Sequence, residues 1–163
     1  DLAAAPTWDA TNAFDGSKVY SSTTAFASSQ VGAAVANAAY IGYDFGSPYT
    51  IDTVNITQSG LTANRLINSA DNGNWDWSDD GISWTLHETV TVTDVSSEVS
   101  MTITGSPAKR YWRLMPNVGL NGGASAWGVA ELEIHGAVGA AGGGGGGGFF
   151  AGGAARRARG RRR

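Results

Sequence analysis

The stretch that decides the fold is SDDGISW at residues 78–84, together with the sequence that follows it. Asp80 and Gly81 predict a tight turn, because glycine tolerates the positive φ that a hairpin turn needs. Across residues 84–95 the side chains alternate with a period of two, which is typical of a half-buried β-strand. Residues 99–104 alternate in the same way, and the polar residues 93–97 predict a hairpin connection between the two runs.

Further strand-like runs lie on both sides of this stretch. Residues 40–45 and 51–57 flank Gly46-Ser47-Pro48, which predicts the end of one strand and the start of another. Residues 109–115 and 129–135 supply two more runs, whereas residues 33–39 suggest at most a short helical turn. Several short β-rich runs separated by turns, without a long amphipathic helix, predict an all-β antiparallel sandwich or barrel.

The charge divides the chain of 163 residues into two parts. Residues 1–138 hold five cations and all fourteen carboxylates, a formal charge of −9, whereas residues 139–163 hold six arginines and no carboxylate. The second part also contains seven consecutive glycines at 142–148, which have nothing to bury and are typical of a linker. We therefore assign one domain to residues 1–138 and a Gly/Arg-rich tail to residues 139–163.

The composition excludes several classes of protein. The chain has no cysteine and only two histidines, which excludes thiol nucleophiles, iron-sulfur clusters and Cys/His zinc sites. No nucleophile-elbow, metalloprotease or phosphate-loop motif occurs, so we expect no enzymatic activity. No run approaches the ~18 apolar residues of a membrane span, and we expect no transmembrane segment. The missing thiols favour an extracellular or particle-surface location.

Five segments, in order along the chain, resemble one family. They are NAFDG at 12–16, YDFGSPYTI at 43–51, SDDGISW at 78–84, RYWRL at 110–114 and VAELEIHG at 129–136. Together they resemble the discoidin, or coagulation factor V/VIII type C, domains and the related galactose-binding-like carbohydrate-binding modules. The resemblance implies an eight-stranded jelly-roll β-sandwich that binds its ligand with loops at one end and performs no chemistry.

The resemblance also implies a structural calcium ion held by Asp15 and Glu131, since Ca²⁺ prefers carboxylate and carbonyl oxygens. Glu131 falls in phase with the apolar Val129, so we expect it to be buried and to need a partner. In the alternative, Asp15 only caps its turn and Glu131 pairs with an arginine of the strand before. The further calcium ligands are backbone carbonyls of Phe14, Lys18 and Ala130, and the alternative partners of Glu131 are Arg110 and Arg113.

A sugar site needs an aromatic platform and planar polar groups that project from loops. Residues 62–77 and 117–127 qualify, with Trp75 as the aromatic candidate. We expect Trp84 and Trp112 in the core, and Trp127 packed rather than binding ligand. The predicted ligand-binding residues are Arg65, Asn68, Asn72, Asn74, Trp75, Asn117 and Asn121.

The tail suggests anchoring to neighbouring subunits, and its arginines also suit nucleic acid or another polyanion. The predicted anchoring residues are Phe149, Phe150, Arg156, Arg157 and Arg159. We therefore expect a glycan-binding or adhesion module that is a surface component of a larger viral, phage or bacterial assembly. One alternative is a purely structural subunit of a capsid, tail or filament. A second is a phospholipid-binding discoidin domain, which the polar composition of the loops disfavours.

Overall fold

The computed structural model describes residues 13–18, 26–27, 40–67, 69–120 and 127–139. Seven antiparallel β-strands and short 3-10 turns make up the regular structure of these residues. The strands are β1 Phe26–Ala27, β2 Ile41–Gln58, β3 Gly73–Ser78, β4 Thr85–Val90, β5 Val99–Thr102, β6 Lys109–Pro116 and β7 Gly128–Val138. The strands predicted at 109–115 and 129–135 are confirmed, whereas the helical turn predicted at 33–39 lies outside the described residues.

Strand β2 takes part in both layers of the sandwich. The strand order is β1-β7-β2-β6-β3-β4, and β5 pairs with β2 as well. The first part of β2 pairs with β6, and the second part pairs with β7 on one side and β5 on the other. The predicted break at Gly46-Ser47-Pro48 is a bend inside this strand, where Gly46 has a φ of 71°. The strand continues through the bend because both of its parts stay paired.

The predicted hairpin between β4 and β5 is wrong. Strand β4 ends at Val90 and pairs with β3 across the turn at Gly81, whereas β5 crosses to the other layer and pairs with β2. The side chain of Asn72 explains why β4 stops. Its Oδ1 accepts a hydrogen bond from Val92 N at 2.7 Å and its Nδ2 donates to Val92 O at 2.8 Å. The backbone groups of Val92 therefore bond to this side chain and not to a neighbouring strand.

Alternation along β6 shows which face of its layer meets the core. Trp112 and Leu114 are fully buried, whereas the intervening Tyr111 and Arg113 lie on the outer face. The core position predicted for Trp112 is confirmed. The largest fully buried side chains among the described residues are Trp75, Trp112, Trp127, Ile41, Ile56, Leu66, Leu114 and Leu132.

The sandwich has two distinct ends. At the first, which we call the loop end, the connections β2–β3, β4–β5 and β6–β7 leave the strands, next to the pairs of Gly73 with Pro116 and with Val90. At the second, the hairpin end, lie the bend of β2 and the β3–β4 turn. Strand β7 starts at the loop end and finishes at the hairpin end, where Gly139 N donates to Pro48 O at 2.9 Å.

Candidate functional site

Gln58 joins three connections at the loop end. Its Oε1 accepts hydrogen bonds from Leu66 N and Trp127 Nε1, both at 3.1 Å, and its Nε2 donates to Thr93 O at 2.9 Å. Sequence reasoning did not single it out, although Gln58 is a polar residue in phase with the buried Val54 and Ile56. A buried amide with all these bonds fixes the relative positions of the connections that start around it.

The two segments predicted to bind a ligand meet at this end. Leu66 and Leu120 form an isolated antiparallel bridge, and Ile67 N donates to Gly119 O at 3.1 Å. Two large apolar side chains, Leu61 and Ile67, are exposed there, at 62% and 43%. The loop end therefore presents apolar surface beside polar loop backbone.

Trp75 is not available as a ligand platform, and this part of the prediction is wrong. Its side chain is fully buried and stacks on Trp112, with ring centroids 5.9 Å apart and planes inclined by 20°. Trp75 shares the inward face of the sheet with Leu114, its register partner on β6. Trp127 is also fully buried, which confirms the packing predicted for it.

Asn72 is likewise structural. It is fully buried, and its amide donates to Ile67 O at 3.1 Å in addition to its two bonds with Val92. All of these bonds go to backbone groups, so the side chain has the role of fixing two loops. The ligand-binding role predicted for Asn72 is therefore wrong.

Asn74 and Asn117 lie side by side at the loop end and are half-buried. Asn117 Nδ2 donates to Asn74 Oδ1 at 2.9 Å and to Asp71 O at 2.6 Å. Asp71 is exposed and has a φ of 53°, and its backbone N–H donates to Thr91 Oγ1 at 3.0 Å. These two amides are the planar polar groups that remain from the predicted set.

Arg65 is held in an ion pair rather than projecting freely. Its Nε lies 2.9 Å from Asp94 Oδ1, and its side chain is 11% exposed. Sequence reasoning missed this partner because Asp94 lies 29 positions further along the chain in the β4–β5 connection. Asn68 and Asn121, the other two predicted ligand-binding residues, lie outside the described residues.

Trp84 lies on the outer face of the sheet, so the core position predicted for it is wrong. The guanidinium carbon of Arg113 lies 4.2 Å from the Trp84 ring centroid and 5.3 Å from that of Tyr40. Arg113 Nη2 also lies 2.9 Å from Asp76 Oδ2. Because Arg113 alternates with the buried Trp112 and Leu114, this group lies on the opposite face from the core.

The predicted calcium residues meet at the start of β7. Glu131 is buried, and its Oε2 accepts a hydrogen bond from Gly16 N at 2.8 Å. Burial raises the pKa of Glu131 to about 7; the Gly16 bond opposes this, and the nearby Asp15 and Glu133 carboxylates add to it. Glu131 alternates with the buried Leu132 and lies on the outer face, where Gly16 contacts its carboxylate, and not on the core face expected from Val129.

Two further observations fit an oxygen-ligated cation at this place. The register between β2 and β7 shifts between Thr57 and Gln58, which leaves Ala130 without a partner on β2. The Thr57 hydroxyl is buried without a hydrogen-bond partner, although Thr57 is the register partner of Glu131. Carboxylates, a hydroxyl and a strand carbonyl released by a bulge are ligands that Ca²⁺ accepts. Among the described residues, no three or more His, Asp or Glu side chains are grouped so that they alone could hold a metal ion.

The alternative partners proposed for Glu131 are occupied elsewhere. Arg110 Nε lies 2.7 Å from Asp44 Oδ1, and Arg113 pairs with Asp76. Lys18, whose backbone carbonyl is a predicted calcium ligand, forms ion pairs with Glu98 and Glu133 through its side-chain ammonium. Phe14, the other donor in that turn, packs its ring against Tyr43 at 5.2 Å. These contacts involve side chains only, whereas the calcium ligands predicted at Phe14 and Lys18 are their backbone carbonyls.

The architecture is that of the discoidin-like, galactose-binding-like carbohydrate-binding modules, a fold shared with many solved structures. No protein-family model and no curated protein matches the chain. No helix in the described part of the chain has the length and hydropathy to cross a lipid bilayer.

Three solved structures show the likeness. A chitosan-binding module of a chitosanase/glucanase from Paenibacillus sp. IK-5 is 27% identical, covers 81% of this chain and 88% of its own, and has a TM-score of 0.54. The family 32 module of NanJ from Clostridium perfringens, solved with galactose, is 17% identical over 80% and 86%, with a TM-score of 0.58. The lectin domain of lectinolysin, complexed with Lewis B antigen, is 18% identical over 82% and 88%, with a TM-score of 0.59.

Proposed function

We propose that this chain is a non-catalytic glycan-binding module that binds sugar at the loop end. The observation that carries the proposal is the meeting of the β2–β3 and β6–β7 connections around the Asn74–Asn117 pair. Sugar hydroxyls are bound by planar polar groups, and these two half-buried side chains place amides side by side at the loop end. The fold neighbours, which include modules solved with galactose and Lewis B antigen and a chitosan-binding module, support the same class of ligand.

With Trp75 buried, the apolar part of the contact falls to other residues. Leu61 and Ile67 are the exposed large apolar side chains of the loop end. The apolar face of a pyranose packs against such side chains, although with less area than an indole offers. We therefore expect an affinity that depends on these two residues and on the amide pair together.

Binding to a glycan array, followed by calorimetric titration of the ligands found, tests this proposal. Asn117→Ala and Leu61→Ser should each weaken binding at least about tenfold. Asn55→Ala is the matched control, because Asn55 is half-buried and hydrogen-bonded like Asn117 but contacts Glu133 and His135 on β7. Equal losses for Asn117→Ala and Asn55→Ala would contradict a loop-end site. Vesicle binding that requires Leu61 and Ile67, without glycan binding, would favour the phospholipid alternative.

We also propose that Asp15 and Glu131 hold a structural calcium ion, with Ala130 and the turn carbonyls of Phe14 and Lys18. The ion would neutralise two adjacent carboxylates and tie residues 13–18 to β7. Calcium should raise the melting temperature of the wild type, and Glu131→Gln should abolish this rise. Asp52→Asn is the control, because Asp52 is an exposed carboxylate on β2 outside this group. A wild type that gains no thermal stability from calcium would contradict the proposal.

The tail supports a second role, as the anchor of a surface component in a larger assembly. Residues 140–163 lie outside the described part of the chain, but Gly139 is placed at the hairpin end, opposite the loop end. A module attached there directs its loops away from the attachment. Such a module suits an extracellular or particle surface, and its arginine cluster is the part suited to a polyanion.

Sedimentation of the full chain tests the anchoring role. Replacing Phe149 and Phe150 by Ser, and separately the six tail arginines by Ser, should reduce self-association if the tail joins subunits. A wild type that stays monomeric at all concentrations would contradict self-assembly through the tail. Self-association without any glycan binding would favour the purely structural subunit.

A further inference from the structure

Every cation of the domain is already paired with a carboxylate. Residues 1–138 contain five Lys and Arg side chains, and all five belong to the described residues. The pairs are Lys18 with Glu98 and Glu133, Arg65 with Asp94, Lys109 with Asp79, Arg110 with Asp44, and Arg113 with Asp76. The segments before residue 139 that the structure leaves undescribed contain no Lys or Arg. This count of cations is therefore complete for the domain.

The carboxylates, in contrast, are in excess. Six of them have no Lys or Arg partner within the described ranges: Asp15, Asp52, Asp71, Asp80, Glu88 and Glu131. The two histidines also lie beside carboxylates: His87 is 3.7 Å from Glu88, and His135 is 3.5 Å from Glu133. The field of the domain is therefore negative, including at the loop end, where Asp71 is exposed.

An acidic sugar needs a positive side chain, because carboxylate and sulfate groups are bound most strongly by charge-assisted donors. At the loop end the only Lys or Arg side chain in the β2–β3, β4–β5 and β6–β7 connections is Arg65, and Asp94 neutralises it. If Arg65 bound an acidic sugar, Asp94 would be left unpaired beside the negative charge of that sugar. An acidic ligand would also meet the field of the unpaired carboxylates.

We propose that the domain of residues 1–138 excludes acidic ligands, so that its loop end selects glycans without acidic groups. The part about glycans rests on the proposed function, because it names the class of sugar that the same site takes. Neutral sugars meet no charge penalty there. Amino-bearing sugars are favoured by the negative field, whereas sialylated, uronic and sulfated ones are disfavoured.

A pair of measurements on the full chain tests this inference. In the first, the variant with all six tail arginines replaced by Ser is compared with the wild type on a heparin column. The wild type should be retained and the variant should pass through at low salt. Retention of the variant would overturn the inference, whether or not a glycan ligand is known.

In the second, the same variant is applied to an array that carries neutral, amino-bearing, sialylated and sulfated forms of the same sugar cores. We expect acidic forms to bind at least about tenfold more weakly than their neutral counterparts at low salt, with a smaller difference at high salt. Equal or tighter binding of the acidic forms overturns the inference. If no sugar binds in any form, the proposed function fails. The heparin column still tests whether the domain excludes anionic ligands.

Two isosteric variants locate the selectivity. Asp94→Asn frees Arg65 at the loop end, and we expect it to narrow the difference between neutral and acidic sugars by about threefold or more. Asp44→Asn frees Arg110 at the hairpin end and changes the net charge equally, but it should leave the difference unchanged. An equal effect of both variants would overturn the assignment of the selectivity to the loop end.

Discussion

Trp75 on β3 and Trp112 on β6 stack in the middle of the sandwich, and both are fully buried. His87 on β4 meets the same Trp112 ring edge-on, at 5.7 Å between centroids. The three side chains join neighbouring strands of one layer through aromatic contacts. Trp75 therefore contributes to stability and is not accessible to a ligand.

Trp75→Ala should lower the free energy of unfolding by about 3 to 5 kcal/mol, because it removes a buried indole and leaves a cavity. Trp84→Ala is the control: Trp84 is half-buried on the outer face, and its loss should cost about 1 kcal/mol. Urea denaturation measures both values. A Trp75→Ala protein that keeps its stability but no longer binds sugar would show that the indole serves the ligand after all.

Gln58→Leu should lower the free energy of unfolding by about 3 kcal/mol or more. The substitution keeps the volume but leaves Leu66 N, Trp127 Nε1 and Thr93 O buried without the partners they have in the wild type. Ser59→Ala, next in the chain, removes the single bond from Leu61 N and should cost about 1 kcal/mol. Similar values for the two variants would contradict the role of Gln58 in joining three connections.

The stability of the metal-free protein should fall as the pH rises from about 4.5 to about 7. Glu131 has a pKa of about 7 in the folded protein, above the ordinary value of 4.5, so between these limits the folded state holds the extra proton. Stability therefore decreases with rising pH, by about 1.4 kcal/mol for each unit of difference between the two pKa values.

Thermal unfolding in the presence of a chelator, at a series of pH values, checks this prediction. Glu131→Gln should remove the decline, because the amide does not titrate. Asp80 provides the contrast, since hydrogen bonds from the backbone of Ser83 and Ile82 lower its pKa to about 2. Its contribution is therefore lost only at much lower pH. A decline that survives in Glu131→Gln would assign the effect to another group.

Gly136→Ala should destabilise the fold by about 3 kcal/mol or more. A Cβ at this position of β7 would lie 1.9 Å from Thr50 O, so the paired backbones of β2 and β7 would have to separate. Gly60→Ala is the control, because a Cβ there meets no atom within 4 Å, and its effect should stay within about 0.5 kcal/mol. Chemical denaturation of both variants measures the difference.

Local patterns determined much of the fold in advance. Alternation located β6 and β7, and the Asp80-Gly81 pair located the turn between β3 and β4, because such features depend on neighbours in the chain. The partner of β5 was not predictable in this way. That partner is β2, which lies more than 40 positions earlier in the chain.

For the site, the sequence by itself determined the class of architecture, the two connections that meet at the loop end and the acidic character of the domain. Only the tertiary structure decided which polar and aromatic side chains in those connections stay accessible at the loop end. Trp75 and Asn72 are buried, whereas Asn74 and Asn117 stay partly accessible, because packing across the sandwich and pairing between distant loops fix each side chain. The pairing of all five cations also depends on the tertiary structure. Even the two pairs whose partners lie closest in sequence, Arg65 with Asp94 and Lys109 with Asp79, are 29 and 30 positions apart.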